Sequence, residues 1–251
     1  MPTSLVLPRL EWGSATASRH ALLVHGLGSN GALMWRYGTA LADDGWHAVA
    51  VDLRGHGTAP RALDYSIPAY AADVAAVRAA TGAWDLVLGH SLGGAATAVA
   101  ASDDPDWTRR LVLIDPALHL LPADREAVTR SQEQTFADTS VEAIRAAHPG
   151  WHPHDVELKA QAARQASRWA VEQTGVQNPE WNVVDALARL RVPVHVIASD
   201  PAVESIYAGR IDAEVRAALP TVTEAIVAGA GHSPHRDDPD QTIRLLREAL
   251  A

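Results

Sequence analysis

The chain has 251 residues, of which 47% are hydrophobic, enough for one domain with a sizeable core. Its net charge of −9 argues against nucleic-acid binding, which needs a basic face. It has no cysteine, so disulfides and thiolate metal sites are excluded. No run approaches the roughly 20 apolar residues of a membrane span, and the N-terminal sequence lacks a signal-peptide pattern. We therefore expect a cytoplasmic protein.

The first half of the chain alternates short apolar runs with amphipathic segments. The runs predicted as strands are 4–10, 20–24, 46–51, 84–88 and 111–114. The segments predicted as helices are 30–43, 68–80 and 92–102. Such alternation indicates a parallel sheet with helices on both faces.

The alternation stops at about residue 118. Only helical patterns follow, interrupted by prolines, and we predict helices over 123–137, 141–147, 155–174 and 181–190. The alternation of strands and helices then resumes, with predicted strands at 192–198 and 225–227 and helices at 209–219 and 238–250. The interpretation is an α/β core formed by residues 1–117 and 191–251, with a helical insertion, 118–190, before the penultimate core strand.

The most informative stretch is 84–98, in which an apolar strand is followed by Gly-His-Ser-Leu-Gly and then by a helix of small residues. This is the pattern of a nucleophile elbow, with Ser91 at the apex. Gly89 and Gly93 are small enough to let strand and helix approach closely. Ser91 then lies at a helix N-terminus, which favours developing negative charge.

A serine hydroxyl needs an adjacent base to act as a nucleophile at neutral pH. The sequence offers His232, in a glycine-rich loop between the last strand and the last helix. Such a loop lies at the carboxyl edge of the sheet, where α/β proteins bind ligands. His235 is close by in sequence, and we expect it on the surface.

Four segments in this order resemble the α/β-hydrolase family over essentially the whole chain: His25-Gly26-Leu27-Gly28, 52–57, 89–93 and Gly231-His232. The resemblance implies an α/β-hydrolase fold with Ser91 as nucleophile and His232 as base. It also implies an oxyanion hole made by the backbone N–H groups of Leu27 and Leu92, with Gly26 beside the substrate. A serine nucleophile argues against the dehalogenase and epoxide-hydrolase branches, whose nucleophile is aspartate.

Two carboxylates compete for the third position of the triad. Many family members place the acid after the strand that follows the insertion, where Asp200 stands, but Asp200 comes early and lacks the usual preceding glycine. Some lid-bearing members place it at the end of the strand before the insertion, where Asp115 stands. We favour Asp115 and keep Asp200 as the alternative. Either residue can instead simply cap a loop at its strand end.

The inserted helices are expected to form a cap that shapes the pocket and excludes water. Trp151, Trp169 and Trp181 lie within it; they either line an apolar pocket or pack the cap onto the core, and Trp169 is the first candidate for a substrate contact. The histidines of the segment 148–154 are separated by prolines, which excludes the helical spacing of zinc enzymes, so we expect no metal. Structural roles are favoured over proton transfer for the histidines, and over a substrate contact for the arginine, among the polar residues of the motif loops: His25, Asp52, Arg54 and His56.

The sequence therefore predicts a cofactor-free serine hydrolase that cleaves an apolar or aromatic carboxylic ester or lactone through an acyl-enzyme. The segment 201–210, with an acid before the cap, weakly resembles zearalenone-type lactonases. The alternatives are C–C bond or amide hydrolysis or perhydrolysis by the same triad, and a small-molecule receptor on a hydrolase scaffold. The expected partner is a small-molecule substrate, without nucleic acid or membrane, and a homodimer is left open.

Overall fold

The computed structural model describes residues 3–251, which contain one seven-stranded sheet in the order β1-β3-β2-β4-β5-β6-β7. The strands are β1 (Arg9–Trp12), β2 (Arg19–Val24), β3 (Trp46–Val51), β4 (Leu86–His90), β5 (Leu111–Ile114), β6 (Val194–Ser199) and β7 (Thr223–Val227). β1 is antiparallel to β3, and every other pair is parallel. The predicted mostly parallel α/β architecture is confirmed.

Helices follow most of the strands. They are α1 (Trp35–Asp43), α2 (Ile67–Ala75), α3 (Leu92–Asp103), α4 (Pro122–Ala137), α5 (Val141–Ala147), α6 (Pro153–Gln165), α7 (Arg168–Val176), α8 (Val184–Leu187), α9 (Arg210–Ala218), α10 (Pro234–Asp237) and α11 (Pro239–Leu250). Helices α4 to α8 lie between β5 and β6, where the sequence predicts an insertion. The treatment of 118–190 as a separate cap stays a prediction.

The central strands are buried on both faces, which explains why they read as continuous apolar runs. Successive residues of β2 face opposite sides: Leu22 and Val24 pack into one apolar cluster, and Ala21 and Leu23 into the other. The parallel register aligns Val24 with Gly89. The loops after the parallel strands therefore meet at one edge of the sheet, and this edge carries the candidate site.

Two predicted elements at the start of the chain and in the insertion are wrong in their extent. The first strand is Arg9–Trp12 rather than 4–10, because its hydrogen-bonded partner β3 is antiparallel and pairs with those residues. The predicted helix 155–174 is two helices, α6 and α7. Ser167 interrupts it, since its N–H donates to the Gly55 carbonyl (2.8 Å) and its hydroxyl caps α7.

The predicted helix 181–190 is also wrong, because only the four residues of α8 are helical there. Trp181 is held instead by long-range bonds: its indole N–H donates to the Ala117 carbonyl (2.7 Å), and its own carbonyl accepts the Leu120 N–H (2.9 Å). Within residues 3–251, no helix combines the length and apolar character needed to cross a membrane. The cytoplasmic location stays a prediction.

Candidate active site

Ser91 lies at the turn between β4 and α3 with φ 52° and ψ −118°, a backbone conformation that costs a non-glycine residue free energy. The flanking glycines are needed for steric reasons. A Cβ on Gly89 would lie 2.5 Å from the Gly93 carbonyl oxygen, and one on Gly93 would lie 2.4 Å from the carbonyl oxygen of Val24. The Gly-x-Ser-x-Gly spacing is therefore what allows strand, turn and helix to pack this closely.

Three side chains form a continuous hydrogen-bonded chain at the sheet edge. The Oγ atom of Ser91 lies 3.0 Å from Nε2 of His232, and Nδ1 of that ring lies 2.6 Å from Oδ2 of Asp115. The Asp115 side chain is fully buried, whereas His232 is 26% exposed. When Nδ1 carries the ring proton and donates a hydrogen bond to the carboxylate, Nε2 is free to accept the serine proton.

Asp115 has its own set of donors. Besides His232, its carboxylate accepts hydrogen bonds from the Ser205 hydroxyl (2.6 Å) and from the N–H groups of Ser199 and Ile206 (3.2 Å each). Its φ of 34° is unusual for a non-glycine residue. Charge-assisted bonds of this kind fix the orientation of the carboxylate. No local sequence pattern connects Ser205 with Asp115, because the two residues are 90 positions apart.

The alternative acid, Asp200, is not brought to His232. Its carboxylate accepts the N–H groups of Gly229 (2.8 Å) and Ala202 (2.8 Å), and these two hydrogen bonds lower its pKa. It therefore ties the loop after β6 to the loop after β7, which is the loop-capping role considered above for a carboxylate at a strand end.

Two further histidines surround the triad. His90, just before Ser91, donates through Nε2 to the carbonyl of His232 (2.8 Å), and its ring lies 5.1 Å from that of His235. The expectation that His235 lies on the surface is wrong: the short helix α10 places it in the core against Tyr37. Burial lowers the pKa of both His90 and His235 well below the ordinary value, so both rings are neutral.

The first amides of α3, Leu92 among them, have no acceptor within the helix, because its first i−4 bond runs from Ala95 to Ser91. The loop that carries Leu27 touches the elbow, since a Cβ on Gly26 would lie 2.9 Å from that of Ser91. The implied oxyanion hole at Leu27 and Leu92 stays a prediction.

His25 holds this same loop in place. It donates from Nδ1 to the Gly26 carbonyl (2.7 Å) and accepts the Leu53 N–H at Nε2 (3.0 Å). Burial lowers the pKa of His25 to about 4, which keeps Nε2 free to accept.

The other polar residues of the motif loops have structural contacts. Asp52 accepts the N–H groups of Gly31 and Thr58, both at 2.8 Å. Arg54 forms a buried ion pair with Asp73, at 2.7 Å. These contacts are the structural roles that the sequence predicts for Asp52 and Arg54.

Ser91 and His232 line a cavity of about 1030 Å³. The core contributes Gly26 and Leu27 to its wall, and the insertion contributes Gln132, Trp151 and Lys159. The segment after β6 and Arg236 of α10 complete the wall. The lining is mixed rather than uniformly apolar, because Leu27 and Trp151 are apolar whereas Lys159 and Arg236 are charged. The Arg236 guanidinium lies 5.0 Å from the centroid of the Trp151 ring.

Trp169 lies away from this cavity. Its ring packs edge-on against Tyr65, 5.5 Å between centroids, and it is 45% exposed. The cause is the break at Ser167, which sets the direction of α7 so that Ala170 and Val171 are buried instead. Trp151 is the tryptophan of the insertion that lines the cavity, and its indole N–H donates to Asp237 (2.6 Å). The predicted substrate contact of Trp169 has no support in its position.

The sequence model of the alpha/beta hydrolase family matches residues 21–245. The chain belongs to the alpha/beta hydrolase family. It is 28% identical over 230 residues to N-formylmaleamate deformylase of Pseudomonas putida, covering 88% of this chain and 85% of that enzyme. It is 28% identical over 249 residues to the esterase YbfF of Escherichia coli, covering 91% of this chain and 92% of that esterase.

Solved structures show the same fold. The crystal structure of E-2-(acetamidomethylene)succinate hydrolase superposes with a TM-score of 0.84 at 23% identity, over 97% of this chain and 94% of that one. The α/β-hydrolase fold and family expected from the sequence are confirmed, and the assignment of this chain as a hydrolase is supported.

Proposed function

We propose that the protein is a serine hydrolase that cleaves a carboxylic ester, open-chain or lactone, through an acyl-enzyme on Ser91. The observation that carries the proposal is the contact chain Ser91–His232–Asp115, built on a strained elbow beside a cavity. A hydroxyl in contact with a base that is itself oriented by a buried carboxylate is the arrangement that activates serine. No cofactor is needed for this chemistry.

In the proposed reaction, His232 takes the proton from Ser91 as the oxygen attacks the ester carbonyl carbon. The negative charge on the carbonyl oxygen is stabilised by the backbone N–H groups of Leu27 and Leu92. His232 then gives the proton to the departing alcohol, leaving an acyl group on Ser91. His232 then takes a proton from water, whose oxygen attacks the acyl carbon. The bond to the Ser91 oxygen breaks, the acid departs, and His232 returns the proton to that oxygen. Asp115 keeps the ring in the required tautomer and stabilises its positive charge.

The inserted helices serve as a cap in this proposal. Gln132 of α4, Trp151 before α6 and Lys159 within α6 all face the cavity that holds Ser91. Covering a reaction site in this way excludes water and strengthens the interactions made with the transition state. We therefore assign catalysis to the core and substrate selection to the insertion.

Amide cleavage is the second candidate. The observation that favours it is the similarity to N-formylmaleamate deformylase, whose name describes removal of a formyl group from nitrogen. The same three residues would act, with His232 protonating a departing nitrogen rather than an alcohol.

The test combines active-site labelling with a matched pair of substrates. Wild type, Ser91→Ala and the surface control Ser14→Ala would be treated with a fluorophosphonate probe and then assayed on 4-nitrophenyl acetate and 4-nitroacetanilide. We expect labelling and turnover in wild type and Ser14→Ala, loss of both in Ser91→Ala, and faster cleavage of the ester. Equal labelling of Ser91→Ala would overturn the serine mechanism, and faster cleavage of the anilide would favour the amide candidate.

A further inference from the structure

We propose that Arg236 and Lys159 bind a carboxylate of the substrate in the cavity that holds Ser91, so that the molecule hydrolysed is an ester or amide that also carries a free carboxylate. This inference rests on the proposed function and deepens it by naming the substrate class.

Arg236 is a buried cation that forms no ion pair with a carboxylate of residues 3–251. It lies on α10, four positions after His232, and is 4% exposed. One guanidinium nitrogen, Nη1, donates to the Ser233 hydroxyl (3.1 Å), whereas Nε and Nη2 have no hydrogen-bond partner within residues 3–251. A guanidinium has five N–H donors, and leaving them unpaired away from water is costly. The guanidinium also lies over the Trp151 ring, 5.0 Å from its centroid, but this contact does not pair the N–H donors. A bound anion would pair them.

Lys159 brings a second positive charge to the same cavity. Its ammonium donates to the Gly28 carbonyl (3.0 Å), in the loop that carries Leu27, which uses one of its three N–H donors. Within the described part of the chain, no carboxylate forms an ion pair with Lys159 or with Arg236. Burial and then the charge of Arg236 lower the pKa of Lys159 to about 7. An anion held between the two cations would relieve their repulsion.

The acidic groups nearest to these cations already have other partners. Asp155 is buried and accepts two hydrogen bonds from Arg36 (2.7 and 3.0 Å) and one from the indole of Trp35 (2.8 Å). Asp237 accepts the indole N–H of Trp151 (2.6 Å) and a backbone N–H (2.9 Å). The charges of the two cations are therefore incompletely balanced by the protein's own carboxylates.

Two further carboxylates line the cavity, but nearer the solvent. Glu204 is exposed, and Asp124 is partly exposed and caps the start of α4 by accepting the Leu121 N–H (3.1 Å). Charges in contact with water interact weakly with a ligand, whereas a buried guanidinium interacts strongly. These acids also disfavour a doubly charged ligand such as phosphate. A singly charged carboxylate, which matches the planar guanidinium, fits the site better.

The experiment compares substrates that differ only in charge. Monoethyl succinate and ethyl succinamate place the carboxylate or its neutral amide in the acyl group, and 4-acetoxybenzoate and 4-acetoxybenzamide place it in the leaving group. For wild type we expect kcat/KM at least about tenfold higher for the charged member of one pair. Arg236→Gln and Lys159→Gln should each reduce that ratio about tenfold, while the exposed control Arg244→Gln should leave it unchanged. The inference would be overturned if wild type had nearly equal kcat/KM for the charged and neutral members of both pairs. It would also be overturned if Arg236→Gln and Lys159→Gln lowered kcat/KM equally for both members.

A binding measurement separates this inference from the proposed function. Calorimetric titration of wild type with succinate should show at least about tenfold tighter binding than with succinamide, and tighter than with inorganic phosphate. This readout does not depend on turnover, and it stands even if Arg236→Gln fails to fold. Binding of succinate without fluorophosphonate labelling of Ser91 would contradict the serine mechanism alone. Labelling of Ser91 without any preference for succinate would contradict the carboxylate site alone.

Discussion

The sheet edge and the inserted helices build the same cavity under very different constraints. At the sheet edge, Ser91 and Asp115 are fixed by buried strands, positive φ angles and glycines with no room for a methyl group. In the insertion, α4 buries none of its residues, and a Cβ on Gly150 or Gly175 would meet nothing within 4 Å. The difference indicates that the sheet edge tolerates less change in its backbone and side chains than α4 and the open glycine positions of the insertion.

The largest expected effect comes from replacing the buried carboxylate of Asp115. Asp115→Asn should lower kcat about 10⁴-fold, because an asparagine no longer holds the His232 ring with Nε2 free to accept a proton. Asp200→Asn, a change of the same kind at the other strand end, should alter kcat less than about threefold. Steady-state kinetics on one ester would measure both. A large loss in Asp200→Asn alone would contradict the assignment of the acid.

A second prediction compares glycines of the two regions. Gly93→Ala should destabilise the protein by about 3 kcal/mol, since the new methyl group would meet the backbone of β2. Gly175→Ala lies within α7 in open space and should stabilise by about 0.5–1 kcal/mol, because alanine favours the helix. Urea unfolding of both variants would measure the difference. Equal effects at the two positions would refute the contrast between core and insertion.

The buried histidines of the core should make the folded protein sensitive to acid. Burial lowers the pKa of His25 to about 4, and burial also lowers that of His56 to about 3, both from 6.5. An unfolded chain takes up these protons at higher pH than the folded one, so their contribution is present above pH 6.5 and is lost as the pH falls towards 4. We expect stability to fall by on the order of 2–5 kcal/mol between pH 7 and pH 4.

Urea melts at pH 7, 5.5 and 4 would measure this fall. His148, half-buried in the insertion with a more modestly lowered pKa, provides the comparison: His148→Gln should retain the full acid sensitivity. If that variant became insensitive to acid, the assignment of the effect to the core histidines would be wrong.

The smallest predicted effect concerns two tryptophans of the insertion. Trp151→Ala should raise KM about tenfold, because the ring lines the cavity and its indole binds Asp237. Trp169→Ala should change KM less than about twofold, since that ring packs on Tyr65 at the surface. Michaelis–Menten kinetics of both variants on one ester would measure the two effects. A larger effect from Trp169→Ala would restore the interpretation drawn from its sequence position.

The sequence predicts best where the signal is local. The pattern of the elbow lies in consecutive residues, 84–98. The apolar runs are long enough to predict the strands of the sheet. The family resemblance favours Asp115 over Asp200, but no spacing reveals the contacts with Ser205 and Ile206 that orient the Asp115 carboxylate.

The insertion is predicted less well for the same reason. The break between α6 and α7 occurs where the Ser167 N–H binds the carbonyl of Gly55, 112 positions away. This break sets the direction of α7 and therefore the position of the Trp169 side chain. Lys159 and Arg236 lie 77 positions apart, and their meeting at one cavity is visible only in three dimensions.

The most direct test of the central claim is to trap the intermediate. Wild type mixed rapidly with 4-nitrophenyl acetate and quenched in acid would be analysed by intact mass and peptide mapping. Our account predicts a burst of nitrophenol that approaches one equivalent per protein molecule, and an acetyl group on the peptide that contains Ser91. Turnover with no acyl-enzyme, or with the acetyl group on another residue, would contradict the proposed mechanism.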